Sequence, residues 1–211
     1  MFKEIVVLAK SHKRNNYCIA GIDVNTGEWV RPVSDSLYLE RAVLIDDAIY
    51  ETGEGVEILD VVRIKFLEYI PSEAQKENYL YDKNYCWQKV GSMNIEDVID
   101  AWGYDEPEYI FGDTNKSINS SILDGKSLLL IKVDEPEILV HQFPEKRKPC
   151  FNFKYNGNNY RYIQIGDISL YKEFSQKNIG AYNLGRCATA VFSLTDRHTD
   201  GRYYKMLATL F

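Results

Sequence analysis

The residues of this chain best suited to chemistry are cations set beside aromatic rings. Lys10, Lys13 and Arg14 fall in one short polar stretch, followed by Tyr17, Trp29 and Arg31. Much later, Lys146, Arg147 and Lys148 precede Phe151, Phe153 and Tyr155. Cations attract phosphates, and flat rings accept stacked bases at about 1–3 kcal/mol per base, so this pairing suits a nucleic-acid surface. Arg31 is read as exposed; Pro32 follows it, fixing the local backbone and removing one donor. A guanidinium held there can clamp a phosphate or stack on a base. The competing reading is structural, because rings that alternate along strands ordinarily form core and Lys/Arg clusters ordinarily sit on solvated loops.

A second polar group is Gln75, Glu77 and Asn78, considered together with Asp167 as a ligand pocket. Amide side chains can read the edge of a base or a small nucleotide through paired hydrogen bonds, and they serve equally well as loop caps. Asp23, Glu77 and Asp167 could hold a nuclease metal if the fold brought them together, although nothing in their spacing requires it. His12, His141 and His198 lie outside any HxH, HExxH or GxSxG frame. Cys18, just past the basic stretch, reads as a buried strand thiol or, less simply, a reactive one. There is no phosphate loop and no GxGxxG. The residues therefore nominate no catalytic group, no cofactor and no metal set.

Composition narrows the field. The 211 residues carry a net charge of −6, which argues against a general coat for polyanions and confines any nucleic-acid site to a local basic patch. Sixteen Tyr, nine Phe and three Trp favour strands, where amphipathic rings cover a half-buried pleated surface. Cys18, Cys86, Cys150 and Cys187 are widely separated and form no CxxC pair, the pattern of free thiols in a reduced, cytoplasmic protein. No secretory segment or membrane-length apolar run occurs.

The elements that must position these residues are mostly strands. Ile5 to Ala9, Tyr17 to Asp23 and a third strand around Trp29-Val30-Arg31 form an opening meander, with Lys10 to Asn16 as a loop and Gly27 closing the turn after Asp23. Val56 to Tyr69 reads as a long strand, residues 72 to 90 resist assignment, and Asn94 caps a short helix that Gly103 stops. Residues 103 to 126 have little periodicity, so the divide is placed near Asp124-Gly125, giving halves 1–124 and 125–211. The second half restarts with Ser127 to Val133 and Ile138 to Val140. A hairpin of alternating Phe151, Phe153 and Tyr155 then turns at Asn156-Gly157 into Tyr160 and Tyr162. Ala188 to Leu194 and Tyr203 to Phe211 close the chain.

Several of these stretches resemble the bacterial dual OB-containing domain family. The opening Ser11-x-Lys13, Cys18-Ile19-Ala20-Gly21 and Trp29-Val30-Arg31-Pro32-Val33-Ser34 is similar to that family's start, and Gln75-x-Glu77-Asn78 to a mid-chain cluster. Leu128 to Val133, Phe151-x-Phe153-x-Tyr155-x-Gly157-x-x-Tyr160, Ile165-x-Asp167, Ser193-Leu194 and Tyr204-Lys205-Met206-Leu207-Ala208 resemble its second half. The resemblance implies an all-β chain with one or two short helices, built as two OB-like barrels packed together. It also implies nucleic-acid binding and a place in bacterial genome conflict or defence, and it passes on no catalytic residue. The expectation is a non-enzymatic module that binds single-stranded or structured RNA or DNA. The alternatives are a sensor of a small nucleotide-like ligand, a metal-dependent nuclease, or an adaptor for a protein partner.

Overall fold

Strand β1 (Phe2–Lys13) returns into β2 (Asn16–Asp23) through only Arg14 and Asn15, both at positive φ (51° and 60°). Positive φ at both central residues is the pattern of the two-residue hairpin whose twist matches its strands. Residues Lys10 to Lys13, expected in a loop, are therefore strand, with Lys10 opposite Ile19 and His12 opposite Tyr17. Gly27 (φ 72°) closes the turn into β3 (Trp29–Val33), and a Cβ there would stand 2.8 Å from the Trp102 ring. The chain then runs through an irregular excursion, 34–59, into β4 (Asp60–Tyr69), β5 (Asn78–Tyr81) and β6 (Gln88–Ser92). Helix α1 (Ile95–Trp102) follows, with the Asn94 side chain accepting from the Asp97 amide and Gly103 (φ 74°) ending it.

The structure is a computed structural model that describes residues 1–144 and 146–211. Its first five strands join in the order β1-β2-β3-β5-β4, and β4 returns to β1, closing a barrel. Only the β3–β5 seam is parallel; β6 adds to β4 outside the ring. Ile5, Val7, Ile19, Val30, Ile64, Phe66 and Trp87 fill the interior.

The second set comprises β7 (Ser117–Ile118), β8 (Leu128–Gln142), β9 (Arg147–Tyr155), β10 (Asn158–Ile165), α2 (Ile168–Ser175), β11 (Gly180–Asn183), β12 (Cys187–Leu194) and β13 (Tyr203–Leu210). These close as β10-β9-β8-β12-β13, again with a single parallel seam, β10–β13, while β7 and β11 attach outside. What the sequence divides into two strands at Pro136 is one strand, β8. The proline sits at a bulge between Asp134 and Glu137, where it needs no ladder partner. Two closed five-stranded barrels with two short helices make up the all-β fold the sequence predicts.

The chain divides into two compact units, Met1–Gly103 and Tyr104–Phe211. Residues 104–124, which sequence patterning groups with the first half, make their hydrogen bonds in the second unit. The Leu130 amide donates to Asp105 Oδ2 at 2.8 Å, Tyr155 donates to the Pro107 carbonyl at 2.7 Å, and Ile118 pairs with Tyr203. Weak periodicity marks a segment as irregular; it does not reveal which core the segment serves. Among the described residues no helix is long and apolar enough to cross a membrane.

Candidate nucleic-acid interface

In the first barrel most of the flagged cations already serve acids of the same unit. Lys10 Nζ donates to the Val56 carbonyl at 2.5 Å and to Glu57 Oε1 at 3.0 Å. Arg14 pairs with Glu40. Arg31, read from sequence as an exposed clamp, is only 3% exposed, and its Nε and Nη2 each lie 2.9 Å from Glu77 Oε1. Its Nη1 meets Cys18 Sγ at 2.9 Å. Burial works against this charge, but Cys18 and Glu77 outweigh it and raise the guanidinium pKa. The correction has a plain cause: Arg31 sits on the β3–β5 seam opposite Asn78, where its amide also donates to the Glu77 carbonyl at 2.8 Å. Lys13 ends the hairpin opposite Asn16, and half-buried Trp29 lies opposite Ile22.

Gln75, Glu77 and Asn78 are all buried, with the Glu77 carboxylate turned to Arg31. Asn78 Nδ2 donates to Gln75 Oε1 at 3.4 Å, whereas Asn78 Oδ1 has no hydrogen-bond partner among the described residues. Asp167 belongs to the other unit. There it caps α2, accepting from the Leu170 amide at 3.0 Å and the Ser169 hydroxyl at 2.8 Å. Asp23 is held by Lys3 at 2.7 Å. Each carboxylate of the hypothetical nuclease trio therefore has a structural task, and no cluster of metal-ligating side chains occurs among the described residues.

The second barrel presents a different surface where β8 turns into β9. Lys148 Nζ lies 5.0 Å over the Phe143 ring, the His141 and Phe143 rings are 4.9 Å apart, and Tyr162 approaches both at 6.1 and 6.4 Å. Lys146 and Arg147 are exposed beside them, with Arg147 Nη2 reaching the Ser175 carbonyl at 3.3 Å. Among the described residues Lys146, Arg147, Lys148 and Arg161 form no ion pair, unlike Lys10, Arg14 and Arg31.

Tyr162 owes its place to strain. It sits at φ 58° in a bulge between Tyr160 and Ile163, a conformation costing roughly 1–2 kcal/mol for a side chain of this kind. Its amide donates to Asn152 Oδ1 at 2.9 Å. In an unbroken strand Tyr160 and Tyr162 would share a face. The bulge instead buries Tyr160 completely and leaves Tyr162 41% exposed.

Phe151, Phe153 and Tyr155, predicted as stacking platforms, are buried core; Phe153 lies 4.9 Å from Tyr160 with the rings 3° from parallel. The rings beside the basic triplet are His141, Phe143 and Tyr162 instead. Sequence reading weighed His141 only as an isolated histidine and placed Tyr162 in the hairpin alternation. The available signal was the Lys146-Arg147-Lys148 triplet, which lies at the site.

A closed five-stranded barrel in this order, one seam parallel, is the OB architecture, whose central strands and first loop commonly engage oligonucleotides or oligosaccharides. It occurs twice here. The family model for the dual OB-containing domain matches residues 3–210, and the chain belongs to that family. No curated protein and no solved structure matches it.

Proposed function

We propose that this protein is a non-enzymatic binder of nucleic acid that engages unpaired strands across the outer face of β8, β9 and β10. The observation that carries this reading is the exposed, strained Tyr162 grouped with His141, Phe143 and Lys148 on the strands that OB barrels use for ligands. Unpaired bases offer faces to such rings, whereas duplex bases are already stacked. Lys146, Arg147 and Lys148 supply the phosphate attraction, and the overall charge of −6 makes that attraction local.

Fluorescence anisotropy with labelled single-stranded RNA, single-stranded DNA and duplex DNA at two salt concentrations tests this. The expected result is salt-sensitive, single-strand-selective binding that K146A/R147A/K148A weakens, with a shallower salt dependence. Equal binding by the triple variant, or no binding to any of the three at low salt, would overturn the assignment. A second reading, a small nucleotide-like ligand, is favoured by the partnerless Asn78 Oδ1 beside Gln75 and Glu77. Nucleotides would then raise the melting temperature of the wild type and not of N78A.

A further inference from the structure

Next to the aromatic cluster, the same sheet carries a groove of about 580 Å³. Its polar lining comes from three adjacent strands: Glu135 and Glu137 from β8, Asn152 and Lys154 from β9, Asn159 and Arg161 from β10. Asn152 connects the two features. Its Oδ1 accepts from the Tyr162 amide at 2.9 Å, and its Nδ2 donates to Glu137 Oε1 at 3.0 Å.

The two glutamates are not equivalent. Lys154 Nζ contacts both oxygens of Glu135, at 2.9 and 2.7 Å, so that carboxylate is neutralised within the fold. Glu137 is held by one neutral amide through one oxygen, and its second oxygen has no protein partner among the described residues. Its orientation is fixed because Asn152 is itself fixed at both ends. The groove is also flanked by two non-glycine residues at positive φ, Glu135 (48°) and Tyr162 (58°), each at a bulge, one in β8 and one in β10. Bulges re-aim side chains, and here they break the ladder on both sides of the strand that carries Asn152.

A carboxylate oriented on a phosphate-binding face repels the backbone, so its use must lie elsewhere. A metal is a poor occupant, because the described residues contain no cluster of three metal-ligating side chains. What suits a single oriented acceptor is an N–H donor on a base edge, as when Glu or Asp accepts from the cytosine amino group. Asn159 adds an amide able to pair with a base edge, and Arg161 adds a cation for the adjoining phosphate.

We propose that this groove is a base-reading subsite in which Glu137 accepts a hydrogen bond from the exocyclic amino group of cytosine or adenine. The protein thereby discriminates against uracil and thymine, which offer a carbonyl at that position. This inference rests on the nucleic-acid reading above and adds selectivity to it.

The test measures binding of labelled oligocytidylate, oligoadenylate and oligouridylate to the wild type and to Glu137→Gln. Wild type is expected to bind the better of the two amino-bearing oligomers about tenfold more tightly than oligouridylate. Glu137→Gln keeps the bond to Asn152 and can donate as well as accept, so its preference should fall to about twofold or less, with salt-sensitive binding retained. Wild-type binding that is salt-sensitive but equal for all three oligomers would overturn the subsite and leave the binding face standing. So would a preference that Glu137→Gln leaves unchanged. Failure to bind any of the three would overturn both.

Discussion

The two barrels share strand order, closure and a parallel seam, and in each a buried cation braces the structure close to that seam. In the first, Arg31 on β3 binds Glu77 just before β5. In the second, fully buried Lys205 on β13 donates to the Asp113 carbonyl at 2.6 Å and carboxylate at 2.8 Å, with its ammonium 5.5 Å from the Tyr160 ring on β10. Burial pulls the Lys205 pKa down, and Asp113 only partly restores it. Outside the seams the barrels diverge. The first ties Lys10 and Arg14 to its own carboxylates, whereas the second leaves Lys146, Lys148 and Arg161 without an ion-pair partner among the described residues. The two barrels thus differ in whether a described carboxylate pairs with their basic residues.

The most forceful way to break this comparison is at Arg31. Arg31→Ala strands a buried Glu77 carboxylate and should cost about 3–5 kcal/mol of stability in the first unit, read by denaturant unfolding. If Arg31 were instead a ligand contact, stability would hold and binding would fall. Next comes Tyr162→Asn. Asparagine tolerates positive φ, so the fold should stay within about 1 kcal/mol of wild type. Loss of a stacking ring should nevertheless weaken single-strand binding by about 1–3 kcal/mol in an anisotropy titration.

A third test uses pH. Burial alone would raise the Asp60 carboxyl, but hydrogen bonds from Lys89 (2.5 Å), Tyr50 (2.7 Å) and the Glu57 amide (3.0 Å) hold it below its ordinary value. A folded pKa below the unfolded one stabilises above the unfolded value, about 3.9, and that contribution is lost as the pH falls through the folded value. Thermal melts of the wild type should therefore show a steeper decline below about pH 4 than those of Asp60→Asn. The smallest effect is expected for Arg14→Ala. Breaking an exposed pair with Glu40 should change stability by less than about 1 kcal/mol and leave oligonucleotide affinity unchanged.

Much of the architecture was legible because it depends on local pattern. The Asn156-Gly157 turn, the Gly27 turn, the Asn94 cap and the apolar strands follow from positive-φ tolerance, capping chemistry and period-two alternation. The site was legible only in part. Lys146, Arg147 and Lys148 were marked by charge, while of the polar trio Asn78 bonds Gln75 and the Glu77 carboxylate bonds Arg31. The aromatic partners were misplaced because the bulge at Tyr162 shifts the alternation, and no residue between Tyr160 and Ile163 signals a bulge by type. Arg31 was misread because its acid, Glu77, lies just before β5, 46 residues away.

By itself, then, the sequence determined that this is a β protein of two halves with local basic patches on an acidic body. Hydrophobic periodicity and turn chemistry act between residues near in the chain, so they can be read along it. The tertiary structure alone decided which cations are neutralised, which rings are core, and to which barrel residues 104–124 belong. Those outcomes depend on partners brought together by barrel closure across long separations, and on whether an acid meets each cation there.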